Sequence, residues 1–313
     1  MNMLRRILNR VAKLMYGSHT DEGDEGPPPL MSIPWRNFEW KGKEVLLQEV
    51  STFQVKGGVK YLNCLLLGQS ASGKTSFFNT CATALKDENR VLAPLSVYKP
   101  SGSSVTSTFE THPLYTKSDK ILPLRIFDCR GLHNADGVTT EDVRLMIEGH
   151  IISGYQINPC VHIQNNHANY RKNPQFGDKM HCLVYVVNAD NPNAALAGEK
   201  AIEIFANMRK LLAPLNVPQL VLMNKVDRLR ASLSEDISQV FRSEEVHRKF
   251  RAVADFMELP EMNVLPMSNY HKETSPDLKK DILALSNLKV IIDRGNDFIQ
   301  RQQKNSTPDD FFN

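Results

Sequence analysis

Lys74 and Thr75 close the string Gly68-Gln69-Ser70-Ala71-Ser72-Gly73-Lys74-Thr75, which follows the apolar run KYLNCLLL directly and opens a helix-like segment. This is G-x-x-x-x-G-K-[ST] in the strand–loop–helix setting that the motif requires. Glycines at 68 and 73 let the backbone wrap closely and turn its N–H groups toward a phosphate chain, with Ser70, Ser72 and Ser76 beside it. Lys74 sets a cation against the outer phosphates, and the Thr75 hydroxyl is a ligand for Mg²⁺. Asp128-Cys129-Arg130-Gly131 then leaves the apolar run LPLRIFD. An aspartate there holds Mg²⁺ through water, and the Gly131 N–H meets the terminal phosphate. Asn224-Lys225-Val226-Asp227 follows QLVLM. Its aspartate accepts two hydrogen bonds from the ring N–H and exocyclic amine of guanine, a pair that adenine lacks, while the Lys225 stem covers the base. In this order the three strings predict a site for GTP or GDP with Mg²⁺. Ser268 and Asn269, after the run MNVLPM, are expected to offer a backbone N–H to the 6-oxygen of the base.

Two further positions concern turnover. A switch threonine that completes the metal shell is expected within SGSSVTSTFE; Thr106 is the choice, with Thr108 and Ser104 as alternatives. After Gly131 stand Leu132 and His133. Small GTPases place a water-orienting glutamine at the first of these, and leucine cannot orient water. Hydrolysis then needs His133, a partner's residue or the substrate phosphate, and the plainer reading of His133 is a solvated switch-loop histidine. The chain is thus either a slow GTPase, stimulated by dimerisation across the nucleotide face, or a GTP-binding interaction protein without turnover. A P-loop kinase using ATP fits neither the guanine string nor the missing Arg-rich lid.

These residues need a scaffold, and the pattern supplies one. From Met31 onward short apolar runs alternate with long amphipathic stretches, which predicts a P-loop GTPase-like α/β/α domain over 31–303 with a largely parallel central sheet. Strands are expected at 60–67, 122–128, 180–188, 219–224 and 262–267. Helices are expected at 74–86, 141–152, 193–212, 243–257 and 278–302. Residues 304–313 are expected to form a disordered tail. Ahead of the domain, GSHTDEGDEGPPPL (17–30) reads as a flexible linker, since three prolines in a row cannot continue a helix. Residues 1–16 place Leu4, Leu8, Val11 and Met15 on one helical face and Arg5, Arg6, Arg10 and Lys13 on another. That amphipathic helix is open to three readings: peripheral contact with an anionic membrane surface, docking on a partner or on the chain itself, or a presequence.

Composition sets outer limits. The 313 residues carry 38 basic and 35 acidic side chains, a balance that argues against a nucleic-acid partner. No 18-residue apolar run predicts a transmembrane helix. Five cysteines, an odd number without a CxxC pair, read as reduced thiols of a cytoplasmic protein. The stretch from His150 to Cys182 exceeds what a compact GTPase needs. Its Cys160, His162 and His167 could be assembled around zinc, but the spacing lacks a C-x₂₋₄-C pair, so a polar insertion serving as a partner or dimer surface is the preferred reading. Trp35 and Trp40 flank Arg36, a pattern for stacking or, more simply, for core packing.

With these residues in place, the chain resembles the interferon-induced protein 44-like family of GTP-binding proteins over most of 33–300. Beyond the P-loop and the Asp128 strand, the likeness rests on Ile33-Pro34-Trp35-Arg36, on Ile147-Glu148-Gly149-His150 leading to Gly154-Tyr155, on Lys179-Met180-His181-Cys182-Leu183 and on Asn269-Tyr270-His271. The resemblance implies a P-loop GTPase fold of the septin and dynamin-like side, a cytoplasmic location and a link to interferon and antiviral responses. It implies nucleotide binding more directly than turnover. Where many members of that family carry Thr, this chain has Asn224, the fuller version of the guanine motif. Residues 1–16 fall outside the likeness.

Overall fold

A seven-stranded sheet organises the chain in the order β4-β2-β3-β1-β5-β6-β7. The computed structural model describes residues 29–40, 42–87, 108–129, 131, 138–158, 160–190, 207, 208 and 210–305. The strands are β1 (Leu62–Gly68), β2 (Thr108–Tyr115), β3 (Ile121–Asp128), β4 (Tyr155–Gln156), β5 (Cys182–Asn188), β6 (Gln219–Asn224) and β7 (Val264–Met267). β1 pairs in parallel with β3 and β5, and β6 joins β5 to β7, also in parallel. Every residue of β1 is buried, because a central parallel strand is covered on both faces and must be apolar along its whole length. From β1 the chain proceeds to β3 on one side and to β5 on the other. The C-terminal end of β1 is therefore the switch point where open α/β sheets form their ligand crevice.

Alternate residues of β1 feed two cores. Leu65 and Leu67 join Phe127, Val143, Met146, Val221 and Phe250 on one face. Cys64 and Leu66 join Leu46, Phe77, Leu85, Leu285 and Ile291 on the other. The first face is covered by α3 (Thr140–Ile147) and α4 (Glu244–Met257), the second by α1 (Lys43–Ser51), α2 (Lys74–Lys86) and α5 (Leu278–Asn305). This is the three-layer arrangement that the strand and helix alternation predicts.

The differences are local. β2 and β4 were not expected from the sequence; both are antiparallel additions at one edge. Only Phe109 and Leu114 of β2 are buried, and Pro113 interrupts it, so its apolar signal is thin. The helix expected over 141–152 stops at Ile147. Gly149 takes φ +82°, and a Cβ there would sit 2.7 Å from Asp178 O. α3 begins with a reciprocal cap: Thr139 Oγ1 accepts from Asp142 N at 3.2 Å, and Asp142 Oδ2 accepts from Thr139 N at 3.1 Å. α5 runs through Lys304 and Asn305, two residues beyond the expected domain end at 303. The expected features at 1–16, 17–28 and 306–313, and most of the 193–212 helix, lie outside the described residues.

The opening segment is fastened rather than loose. Trp35 stacks on His247 with centroids 4.6 Å apart. Arg36 lies over Trp35 and donates to Val264 O at 2.7 Å and Glu261 O at 2.6 Å. Both expectations for this segment, stacking and core packing, are realised together.

Candidate nucleotide site

The loop between β1 and α2 is built on two glycines that no other residue could replace without displacement. Gly68 has φ +153° and Gly73 φ +96°; a Cβ would lie 2.3 Å from Val186 O at the first and 2.0 Å from Asn224 Nδ2 at the second. Ala71, at φ +60°, is a non-glycine residue in the left-handed region, a strain that clusters at ligand-binding loops. α2 starts immediately after Gly73 with no acidic residue in its first turn. Its positive dipole end therefore stays uncompensated by the chain itself.

Lys74 is almost fully buried, and its ammonium donates to Gly68 O at 3.1 Å and Gln69 O at 3.0 Å. The cation is thus held over the loop by the loop's own carbonyls. Thr75 Oγ1 donates to Asp128 Oδ2 at 2.5 Å, and Asp128 Oδ1 accepts the Cys129 N–H at 2.9 Å. Gly131 is pressed onto the same loop, for a Cβ there would lie 2.2 Å from Ser70 N. The structure therefore brings Asp128 and Gly131 against the glycine loop and the start of α2. Between them, Cys129 is buried; desolvation pushes its thiol up to about 12, which makes it a packing residue rather than a nucleophile. Ser76 contributes its carbonyl to Thr80 Oγ1 at 2.8 Å. Ser72 Oγ is buried with no partner.

The guanine string meets this loop from the other side. Asn224 ends β6, nearly fully buried, and its Nδ2 donates to Ser72 O at 2.8 Å. Its Oδ1 accepts from Lys225 N at 2.8 Å and from Asn269 Nδ2 at 3.0 Å. Asn269 Nδ2 also reaches Gly73 O at 3.4 Å. Lys225 adopts φ +61° and donates from Nζ to Ala71 O at 3.2 Å. Its pKa is lowered, desolvation being the main cause and Asp190 opposing it. Asp227 sits partly buried in the single helical turn Val226–Leu229. Its carboxylate has no hydrogen-bond partner among the described residues. Ser268 is wholly buried and its Oγ, like Asn269 Oδ1, lacks a partner.

Of the residues chosen from sequence, the structure gathers Gly68, Ser70, Ser72, Gly73, Lys74, Thr75, Asp128, Gly131, Asn224, Lys225 and Asn269 into one bonded or touching set at the C-terminal ends of β1, β3, β6 and β7. Thr106, Leu132 and His133 lie outside the described residues. The zinc alternative finds no support: among the described residues no cluster of three His, Cys, Asp or Glu side chains could hold a metal. His162 instead meets Asp142 at 3.2 Å, His167 packs edge-on against Tyr155, and Cys160 is exposed. Arg171, in the stretch read as a partner surface, is spent internally on Gly149 O at 2.7 Å and Asp178 at 3.3 Å. Among the described residues no helix is long and apolar enough to cross a membrane.

Sequence reasoning missed the side-chain tie from Asn224 and Asn269 to the glycine loop. A polar residue at the end of each of two apolar strands was its only signal. It also missed Lys249, nearly buried on α4, whose ammonium donates to Ala189 O at 3.3 Å beside the end of β5.

The sheet order, the two faces of helices and the glycine loop at the switch point make this a P-loop GTPase-like α/β fold. No protein-family model matches the chain. The chain is similar to Interferon-induced protein 44 of Mus musculus, 27% identical over 259 residues, which cover 82% of this chain and 60% of the relative. The Homo sapiens protein of the same name is 27% identical over 264 residues, 82% of this chain and 58% of that one. Interferon-induced protein 44-like of Homo sapiens is 27% identical over 248 residues, 77% and 53% respectively. The chain thus spans somewhat more than half the length of the curated relatives it matches. Among solved structures, a dimerization-deficient mutant of Toc33 from Arabidopsis thaliana superposes with a TM-score of 0.45 at 14% identity, covering 81% of this chain and 91% of that chain.

Proposed function

We propose that this chain is a Mg²⁺-dependent guanine-nucleotide-binding protein, with GTP and GDP as its ligands. The observation that carries the reading is the tie of Asn224 to Ser72 at 2.8 Å, which fixes the guanine string against the glycine loop. A base read by Asp227 and a phosphate chain wrapped by residues 68–75 then belong to one ligand. Lys74, hydrogen-bonded to the loop carbonyls of Gly68 and Gln69, exchanges them for phosphate oxygens, a stronger charge-assisted pair. The Thr75 hydroxyl and the Asp128 carboxylate are hard oxygen donors of the kind Mg²⁺ takes together with nucleotide phosphates. Mg²⁺ bound there supplies positive charge to the phosphates; Thr75 and Asp128 orient it, with Thr106 as the proposed switch ligand. Ser268 and Asn269 present the backbone to the 6-oxygen of the base.

Turnover is slow in this reading, because Leu132 stands where a water-orienting glutamine serves other GTPases. The same residue favours a second reading, a GTP-binding interaction protein whose bound state matters more than hydrolysis. The names of the relatives support a link to the interferon response; an antiviral role and a cytoplasmic location extend that reading. A homodimer across the nucleotide face, a protein partner and peripheral membrane contact through residues 1–16 complete the proposal, with 31–303 as the nucleotide domain. Titration calorimetry with GTP, GDP and ATP in Mg²⁺, followed by single-turnover hydrolysis, tests it. Tight guanine binding with weak ATP binding is expected, and equal affinity for ATP would remove the guanine assignment.

A further inference from the structure

Directly behind the loop assigned to the base lies a buried polar network that no nucleotide motif uses. Tyr270 follows Asn269 and is almost wholly buried. Its hydroxyl accepts the Asp277 N–H at 2.6 Å and donates to Asp281 Oδ1 at 2.8 Å. Its backbone N–H donates to Thr80 Oγ1 at 3.2 Å, on the helix that the glycine loop opens. Asp281, also buried, pairs through Oδ2 with Lys43 Nζ at 2.8 Å, and the same ammonium meets Asp87 at 2.6 Å. Asp87 is the C-cap of α2, at φ +50°. The base loop is therefore tied to both α2 and α5, and Lys43 of α1 links those two helices.

Such a network is a poor device for stability alone. Desolvating Lys43 and Asp281 offsets most of their attraction, and apolar residues of similar volume would serve the core as well. Buried ionic groups are better suited to selecting one arrangement among several. Here the arrangement selected is that of the backbone at 268–270, from which the Asn269 side chain reaches Gly73 O and Asn224 Oδ1.

We propose that Tyr270 is a positioning residue for base recognition: anchored by Asp281 and Thr80, it sets the Ser268–Asn269 backbone so that its N–H meets the purine 6-oxygen. The proposal rests on the guanine reading of the site. It makes preference for a 6-oxo purine depend on the Tyr270 hydroxyl and the Thr80 hydroxyl, neither of which touches nucleotide. A tyrosine that merely fills the core would be replaceable by phenylalanine without any change in base preference.

The test compares GDP with 6-thioguanosine diphosphate, which keeps the ring N–H and 2-amino group but offers sulfur, a weak acceptor, at position 6. Affinities are measured for the wild type, Tyr270→Phe, Thr80→Val and Thr80→Ser, with thermal melting as the check on folding. The wild type is expected to prefer GDP. Tyr270→Phe and Thr80→Val are each expected to weaken GDP by roughly tenfold, as the loss of a buried hydrogen bond implies. Both should leave the thio analogue nearly unchanged, so the preference collapses. Thr80→Ser retains the hydroxyl and should retain the preference, and the Thr80 pair decides the matter if Tyr270→Phe fails to fold. A preference unchanged in the variants, or an equal loss for both nucleotides, would overturn the positioning role. Failure of the wild type to bind GDP would instead overturn the guanine reading itself.

Discussion

The two ends of the sheet handle buried polarity in opposite ways. At the N-terminal end of β1 and β5, His181 is fully enclosed: Nδ1 accepts the Asn63 N–H at 2.9 Å, and Nε2 lies 3.1 Å from Phe176 O. Asn63 Nδ2 donates to Gly177 O and Lys179 O, both at 2.9 Å. At the C-terminal ends, Ser72 Oγ, Asn188 Oδ1, Ser268 Oγ and Asn269 Oδ1 are buried without partners, and Lys74 is bonded to its own loop. At the closed end only Asn63 Oδ1, among these groups, lacks a partner. Buried polar atoms without partners cost stability. The four at the C-terminal ends lie around the glycine loop, where an exchange of partners would offset that cost, while the other end holds the 150–181 stretch to β1.

The largest effect expected from this contrast is on binding with little on folding. Lys74→Ala should lower GTP affinity by roughly a hundredfold or more, since it removes charge-assisted bonds to two phosphates. Thr75→Ala should act in the same direction. Without nucleotide each variant should melt within about 1 kcal/mol of wild type. At a GTP concentration ~100 times its Kd the wild type gains about 2.7 kcal/mol, and the variants should not. Retention of that shift by both variants would show that the glycine loop is not the phosphate cradle.

The closed end predicts the reverse, a change in stability without a change in affinity. Burial holds the His181 pKa down to about 4 from its ordinary 6.5. Between those values the unfolded chain takes up a proton that the folded chain refuses, so this contribution is intact above pH 6.5 and is lost as pH falls toward 4. Integrated over the window it amounts to about 3 kcal/mol. Denaturant unfolding from pH 7.5 to 4.5 should show the slope in wild type and a flatter one in His181→Gln, with GTP affinity at pH 7.5 unaltered. Equal slopes in the two proteins would place the proton elsewhere.

The smallest effects concern turnover. Leu132→Gln should leave single-turnover hydrolysis unchanged or raise it a few-fold, roughly 1 kcal/mol in barrier. His133→Ala separates a catalytic histidine from a bystander. Fast hydrolysis by dilute protein, indifferent to His133→Ala, would mean that another group does the chemistry.

Much of this contrast was legible in the sequence at one end and hidden at the other. The residues proposed for the phosphates and the base stand at short fixed spacings after apolar strands, so their type and location can be read together. β1, β3, β5, β6 and β7 fall within two residues of the expected spans at either end because buried parallel strands are continuous apolar runs. β2 carries His112 and Pro113 and buries few side chains, and β4 has two residues, so neither leaves a pattern. α1 is short, and among its buried residues is Lys43, which a hydrophobic pattern reads as solvated. The pairs that couple loops are separated by long stretches of chain: Asn224 with Ser72, Tyr270 with Thr80, Lys43 with Asp281. No local spacing announces them.

The central claim is that the open end reads guanine through Asp227. Guanine offers that carboxylate the ring N–H and the 2-amino group, whereas xanthine replaces the amine with a carbonyl oxygen. Asp227→Asn exchanges one acceptor for a donor, so the amide complements xanthine and opposes guanine. A bidentate base contact discriminates by ~1–3 kcal/mol. Titration of Asp227→Asn with GTP and xanthosine triphosphate is therefore decisive. The account predicts at least about a tenfold loss for GTP and a gain for xanthosine triphosphate. A folded variant that still prefers GTP would contradict it, because the base would then be read elsewhere.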